Sequence, residues 1–330
     1  MSRLPGTTST ATIKVECGII NLGGGISVSP APASETDEAC GRVPASATPQ
    51  APRGSTTCHH SGVPDPTTDF VAMLALEPHG PDTFVGSGPR YPWGGLYGGQ
   101  IVAQALRAAA HTVDPQFRVH SLHSYFIRRG DHTEPIRFEV ERVRNGRSFV
   151  TRTVTARQAV GAILSMSVSF QVDEEAFEAQ AAEMPDVPGP GDLEQESWTT
   201  MFDRATVPTD DLRGRARGWL RINSDLGDDP VLNACALAYT SDDYPTDAAV
   251  SLRPDRPGPD DPDQYPFVAF SLDHAIWFHR PMRADQWHLN AMVCHGLISS
   301  RGLTVGHVFT QEGVHVASVT QEVLIRRRRG

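Results

Sequence analysis

The chain lacks an apolar run long enough to span a bilayer, so no membrane insertion is expected. Its opening, MSRLPGTTSTATIKVECGII, lacks the basic-then-apolar layout of a secretory leader, and a cytoplasmic location is expected. No CxxC pair occurs. The five cysteines, Cys17, Cys40, Cys58, Cys235 and Cys294, are odd in number and far apart, which argues against a disulfide framework or a zinc knuckle. Cys58-His59-His60 has metal-binding residue types but no matching partner cluster, so no metal is expected. Residues 1–65 contain no Phe, Tyr or Trp. Such a Ser/Thr/Pro/Ala-rich segment buries too little apolar surface to offset its ordering entropy and reads as a disordered extension. Positive charge is also scarce: the net charge is −10, which argues against nucleic acid as a partner. Also missing are a GxSxG elbow, a phosphate-binding P-loop, a GxGxxG after a strand and an HExxH motif, which argues against hydrolysis by a serine triad on an α/β-hydrolase sheet.

What is present is a soluble composition, 39% hydrophobic and 21% charged, over 330 residues. Two structured blocks stand out, at 69–175 and 201–328, joined by a linker over 176–200 with PDVPGPGD at its centre. A loop, LRPDRPGPDDPDQYP, interrupts the second block. In the first block Gly94-Gly95-Leu96-Tyr97-Gly98-Gly99 leads into QIVAQALRAAAHTV, where Ile101, Val102, Ala105, Leu106 and Ala109 recur at helical spacing. Four strand-like runs follow, two of them joined by the hairpin signal Asn145-Gly146. The second block repeats the order: a strand at ARGWLRI, one helix over DDPVLNACALAYTSD, then four more strand-like runs.

The two blocks match in residues as well as in order. Ser121-Leu122-His123 with Tyr125-Phe126 and Arg128 parallels Ser271-Leu272-Asp273 with Trp277-Phe278 and Arg280, and SVSFQ ending at Gln171 parallels SVTQ ending at Gln321. This is an internal duplication. Each copy is a helix laid on an antiparallel sheet, an α+β arrangement that two copies can extend into one continuous sheet.

Taken alone, the polar residues of these blocks have ordinary explanations. Asp242 at a helix end is an ordinary turn or cap and no better a catalytic candidate than Asp273, Ser271 and Gln321 are polar strand residues, and Gly98-Gly99 is a tight turn. The runs YGGQIVAQAL, VHSLHSYFIRRGD, RNGRSFVTRTVTA, SDDYPTD, SLDHAIWFHRP, SSRG and ASVTQE together resemble the acyl-CoA thioesterase II family over residues 69–328. The resemblance implies a double hotdog fold, acyl-CoA substrates and no metal or organic cofactor. It also implies a catalytic trio: Asp242 in Tyr239-Thr240-Ser241-Asp242, Ser271 two positions before Asp273-His274, and Gln321 in the last strand. Asp243, beside Asp242, departs from the pattern and leaves open which carboxylate enters the site.

These residue types suit thioester hydrolysis. A partly desolvated carboxylate can take a proton from water, and a hydroxyl and an amide can orient that water. Backbone N–H groups at a helix N-terminus can stabilise the oxyanion, which makes Gly98 and Gly99 candidates for substrate contact. His120 is a further candidate for the wall of the binding pocket. Arg128, Arg129, Arg280 and Arg301 are candidates for the CoA phosphates. A homo-oligomer is expected. Two rival readings stand beside hydrolysis: a hotdog hydratase or dehydratase using an Asp273/His274 pair, and a non-catalytic acyl-CoA binder.

Overall fold

The computed structural model describes residues 68–208, 213–255 and 267–327. The extension over 1–65, Cys58-His59-His60 and most of the loop in the second block lie outside the described residues. In chain order the first elements are α1 (Phe70–Met73), β1 (Glu77–Pro78), β2 (Thr83–Gly86), α2 (Gly98–Ala110), β3 (Phe117–Phe126), β4 (Ile136–Asn145), β5 (Phe149–Gln158) and β6 (Gly161–Val172). They continue as β7 (Gln195–Glu196), β8 (Phe202–Thr206), β9 (Arg215–Ile222), α3 (Pro230–Thr240), α4 (Tyr244–Ser251), β10 (Phe267–Ser271), β11 (Asp273–Phe278), β12 (His288–Ile298), β13 (Arg301–Thr310) and β14 (His315–Arg327).

All these strands join one antiparallel sheet in the order β1-β2-β4-β5-β6-β3-β11-β14-β13-β12-β9-β8-β7, with β10 also paired to β14. The halves meet where β3 pairs with β11, Leu122 opposite Ile276 and Ser124 opposite His274. The strands alternate in burial, as β5 does along Val150, Arg152, Val154 and Ala156, so one face of the sheet carries the core. The helices cover that face: α2 packs on β4, β5 and β6, and α4 packs on β9, β12 and β13. This is the double hotdog.

α2 is buried along almost its whole length because it also packs against α3. Its Gly and Ala residues let the two helices come close. Two details depart from the sequence reading. The expected single helix over 228–242 stops at Thr240, and a second helix, α4, follows. Pro245 accounts for the stop, since its ring clashes with the carbonyl four residues back and it has no N–H to continue the ladder. The segment read as a linker also packs as part of the fold. Ala182, Met184, Val187 and Leu193 lie against Ala205, Trp219, Leu289 and Phe309, and Trp219 Nε1 donates to the Pro188 carbonyl at 2.9 Å. Its apolar residues are spread among Glu and Pro, which masks them as a core contribution.

Candidate active site

The break between α3 and α4 places Asp242 in a tight turn, 3% exposed, facing the N-terminus of α2. Tyr97, the N-cap of α2, makes no side-chain capping bond. Gly99 N–H donates instead to Asp242 Oδ2 at 2.8 Å, so a carboxylate of the second repeat meets the positive end of a helix of the first. The two glycines permit this approach. A Cβ on Gly98 would collide with Asp242 Oδ2 and Phe126, and one on Gly99 with the Tyr239 carbonyl. Gly98 and Gly99 thus make room for the other repeat and bring the N-terminus of α2 against Asp242.

The other two members of the expected trio converge on the same carboxylate. Ser271 ends β10, where the strand breaks at Leu272, and its hydroxyl donates to Asp242 Oδ1 at 3.1 Å. Gln321 of β14 donates from Nε2 to Ser271 Oγ at 2.8 Å. Beyond it, His274 Nδ1 lies 2.6 Å from Gln321 Oε1, and His274 Nε2 lies 2.9 Å from Ser241 Oγ. All five side chains are buried.

Burial dominates the electrostatics. It pushes the Asp242 carboxyl up to about 7, against the opposing hydrogen bonds from Ser271, Gly99 N–H and Gln321, while the neighbouring Asp243 charge adds to the rise. Burial likewise lowers His274 to about 4, which leaves it neutral near neutral pH. Asp242 is therefore a carboxylate whose proton affinity suits proton transfer at neutral pH.

Asp243 points the other way. It accepts from Trp198 Nε1 at 2.9 Å and pairs with Arg204 at 3.0 Å, and Arg204 also binds Asp247 at 2.7 Å. Asp273 and His274 lie on opposite faces of their strand: Asp273 Oδ1 accepts from the Glu322 N–H at 2.7 Å, while His274 faces Gln321. They form no proton-transferring pair. His120 stands apart from the trio. It contacts Ser169 Oγ at 2.8 Å and lines a cavity of about 720 Å³ with Arg118, Asn233, Leu237, Phe278 and Arg280; Asp242, Ser271 and Gln321 do not line that cavity. The proposed phosphate arginines each have local partners: Arg128 the Ala162 carbonyl, Arg129 the Trp93 carbonyl, Arg280 the His315 carbonyl and Arg301 the Glu322 carboxylate.

The duplication is chemically one-sided. The bulge of β3 at His120 matches the break at Leu272, and strand register then equates Ser271 with Val119, His274 with Leu122 and Gln321 with Val168. This differs from the motif match, which set Ser271 against Ser121 and Gln321 against Gln171. The first repeat is apolar at all three positions. Sequence reasoning named Asp242, Ser271 and Gln321 but gave His274 a role only in the rival hydratase or dehydratase reading and gave Ser241 none. Only their mutual contacts join the two to Gln321.

A family model described as the acyl-CoA thioesterase N-terminal domain matches residues 88–171, and one described as the C-terminal domain matches 178–325. Acyl-CoA thioesterase 2 of Haemophilus influenzae is 32% identical over 287 residues, spanning 79% of this chain and 98% of its own. Human acyl-coenzyme A thioesterase 8 is 33% identical over 318 residues, spanning 84% of this chain and 96% of its own. Among solved structures, acyl-CoA thioesterase II TesB2 from Mycobacterium marinum superposes with a TM-score of 0.69 at 38% identity, covering 79% of this chain and 98% of that one.

Proposed function

Because the chain belongs to the acyl-CoA thioesterase II family, we propose that it hydrolyses acyl-CoA thioesters to a carboxylic acid and CoA with water activated by Asp242, Ser271 and Gln321. The observation that carries the residue assignment is the convergence of Ser271 and Gly99 N–H on a buried carboxylate held near neutral proton affinity.

Asp242 takes a proton from the attacking water as its oxygen bonds to the thioester carbon. Ser271, which donates to that carboxylate, and Gln321, which donates to Ser271, orient the water. The oxyanion forms beside the N-terminus of α2, where the helix dipole favours negative charge. When the tetrahedral intermediate collapses, the C–S bond breaks, and Asp242 returns its proton to the departing CoA sulfur. Carboxylic acid and thiol result, and the carboxylate is regenerated.

The test is thiol release from acyl-CoAs by the wild-type protein and by Asp242→Asn. The variant keeps the size of the side chain but cannot accept a proton. Its kcat should fall roughly a hundredfold or more, with little change in KM. The wild-type kcat/KM should rise with pH and level off above about 7, where Asp242 is ionised. A near-wild-type kcat for Asp242→Asn would overturn the residue assignment.

A further inference from the structure

We infer that His274 is a positioning residue that fixes the orientation of the Gln321 amide and, through it, aims the Ser271 hydroxyl at Asp242. The inference rests on the trio proposed above.

The argument is one of donors and acceptors. Gln321 Oε1 can only accept, so the 2.6 Å contact with His274 requires a proton on Nδ1. A neutral imidazole then has a bare Nε2, which at 2.9 Å takes the Ser241 hydroxyl proton in preference to the Ala238 carbonyl at 3.3 Å. With its oxygen held by His274, Gln321 must turn its NH2 group toward Ser271, 2.8 Å away. Ser271 Oγ, receiving that N–H, is left to donate its own proton to Asp242 Oδ1. Donation thus runs in one direction from Ser241 through His274, Gln321 and Ser271 to the carboxylate.

The alternative is a flipped amide. Its NH2 group would face His274, which would need the opposite tautomer, and its oxygen would face Ser271. Ser271 would then donate to Gln321, and Asp242 would lose both side-chain donors. An ionised, buried carboxylate is costly without them, so the arrangement that serves the anion is the one in which His274 carries its proton on Nδ1 and holds the amide oxygen. The first repeat supplies the contrast. It has Leu122 in place of His274 and Val168 in place of Gln321, so where there is no amide to orient there is no imidazole.

The test is a double-mutant cycle on the full chain, with kcat and KM for one acyl-CoA. His274→Leu installs the side chain the first repeat carries at the equivalent place and frees the amide. Its kcat should fall on the order of tenfold at unchanged KM, as for one well-placed hydrogen bond. His274→Asn, whose Nδ2 can replace the lost Nδ1–H donor, should recover most of that loss. In a Gln321→Ala background, His274→Leu should cost almost nothing more, because no amide remains to be oriented. Equal losses in both backgrounds would make His274 a packing residue and overturn the inference while leaving the trio intact. If His274→Leu does not fold, Asn decides: a tenfold or greater loss in a well-folded His274→Asn also overturns it. Wild-type kcat in Gln321→Ala alone would instead remove the trio on which the inference stands.

Discussion

Adjacent carboxylates at 242 and 243 serve opposite ends. Asp242 faces uncharged hydrogen-bond donors, whereas Asp243 is locked to Arg204 with both side chains more than nine-tenths buried. The two should separate cleanly in experiment. Asp243→Asn leaves Arg204 short of a partner and should lower stability by about 3 kcal/mol, read from denaturant unfolding, with kcat of the folded protein changed only a few-fold. Asp242→Asn should do the reverse. The folded pKa of Asp242 is raised to about 7, above its unfolded value near ~3.9, so the stability its protonated form provides is fully present at low pH and is lost as pH rises through 7. Asn does not ionise. Its stability advantage over Asp should therefore grow between about pH 4 and 7 and level off above, which thermal melts at pH 5 and pH 8 will register. An advantage that is the same at both would mean that Asp242 is not perturbed by burial.

Among the elements, the crossing of α2 and α3 matters most for the site. Both helices are rich in small residues at their contact, and the turn after α3 reaches the first residues of α2 only because Gly98 and Gly99 have no side chain there. Gly99→Ala puts a methyl group against the Tyr239 carbonyl, which belongs to rigid helix backbone and cannot move aside cheaply. Overpacking of this kind should cost about 1–3 kcal/mol and also pull Gly99 N–H from Asp242, so both Tm and kcat should fall. Gly191→Ala, with open space around it, is the matched control and should be silent in both assays. A silent Gly99→Ala would mean that the helices have slack the structure does not show.

For the whole molecule, the two repeats depend on each other. The site takes its helix N-terminus from one and its side chains from the other, and the continuous sheet runs through the β3–β11 pairing. Residues 69–175 expressed alone would expose the β3 edge and the apolar face of α2 that α3 covers. The fragment should aggregate or self-pair in size-exclusion chromatography; a stable, soluble monomer would show that the first repeat folds independently. No helix among the described residues is long and apolar enough to cross a membrane.

The primary structure by itself determined the two-copy layout and most strand positions, and its family-like runs named Asp242, Ser271 and Gln321 as candidates, with Asp243 left open beside Asp242. These are local or motif-borne: hydrophobic alternation, the Asn145-Gly146 turn and long matched runs survive in one dimension. Tertiary structure alone decided which of Asp242 and Asp243 meets Ser271 and the N-terminus of α2, because neighbouring residues in a turn point in different directions and only Arg204 and Gly99, remote in the chain, distinguish them. It alone separated Asp273 from His274 and joined His274 to Gln321 and Ser241. Hydrogen-bond direction through a buried chain depends on which atoms meet after folding, and no spacing along the sequence encodes it.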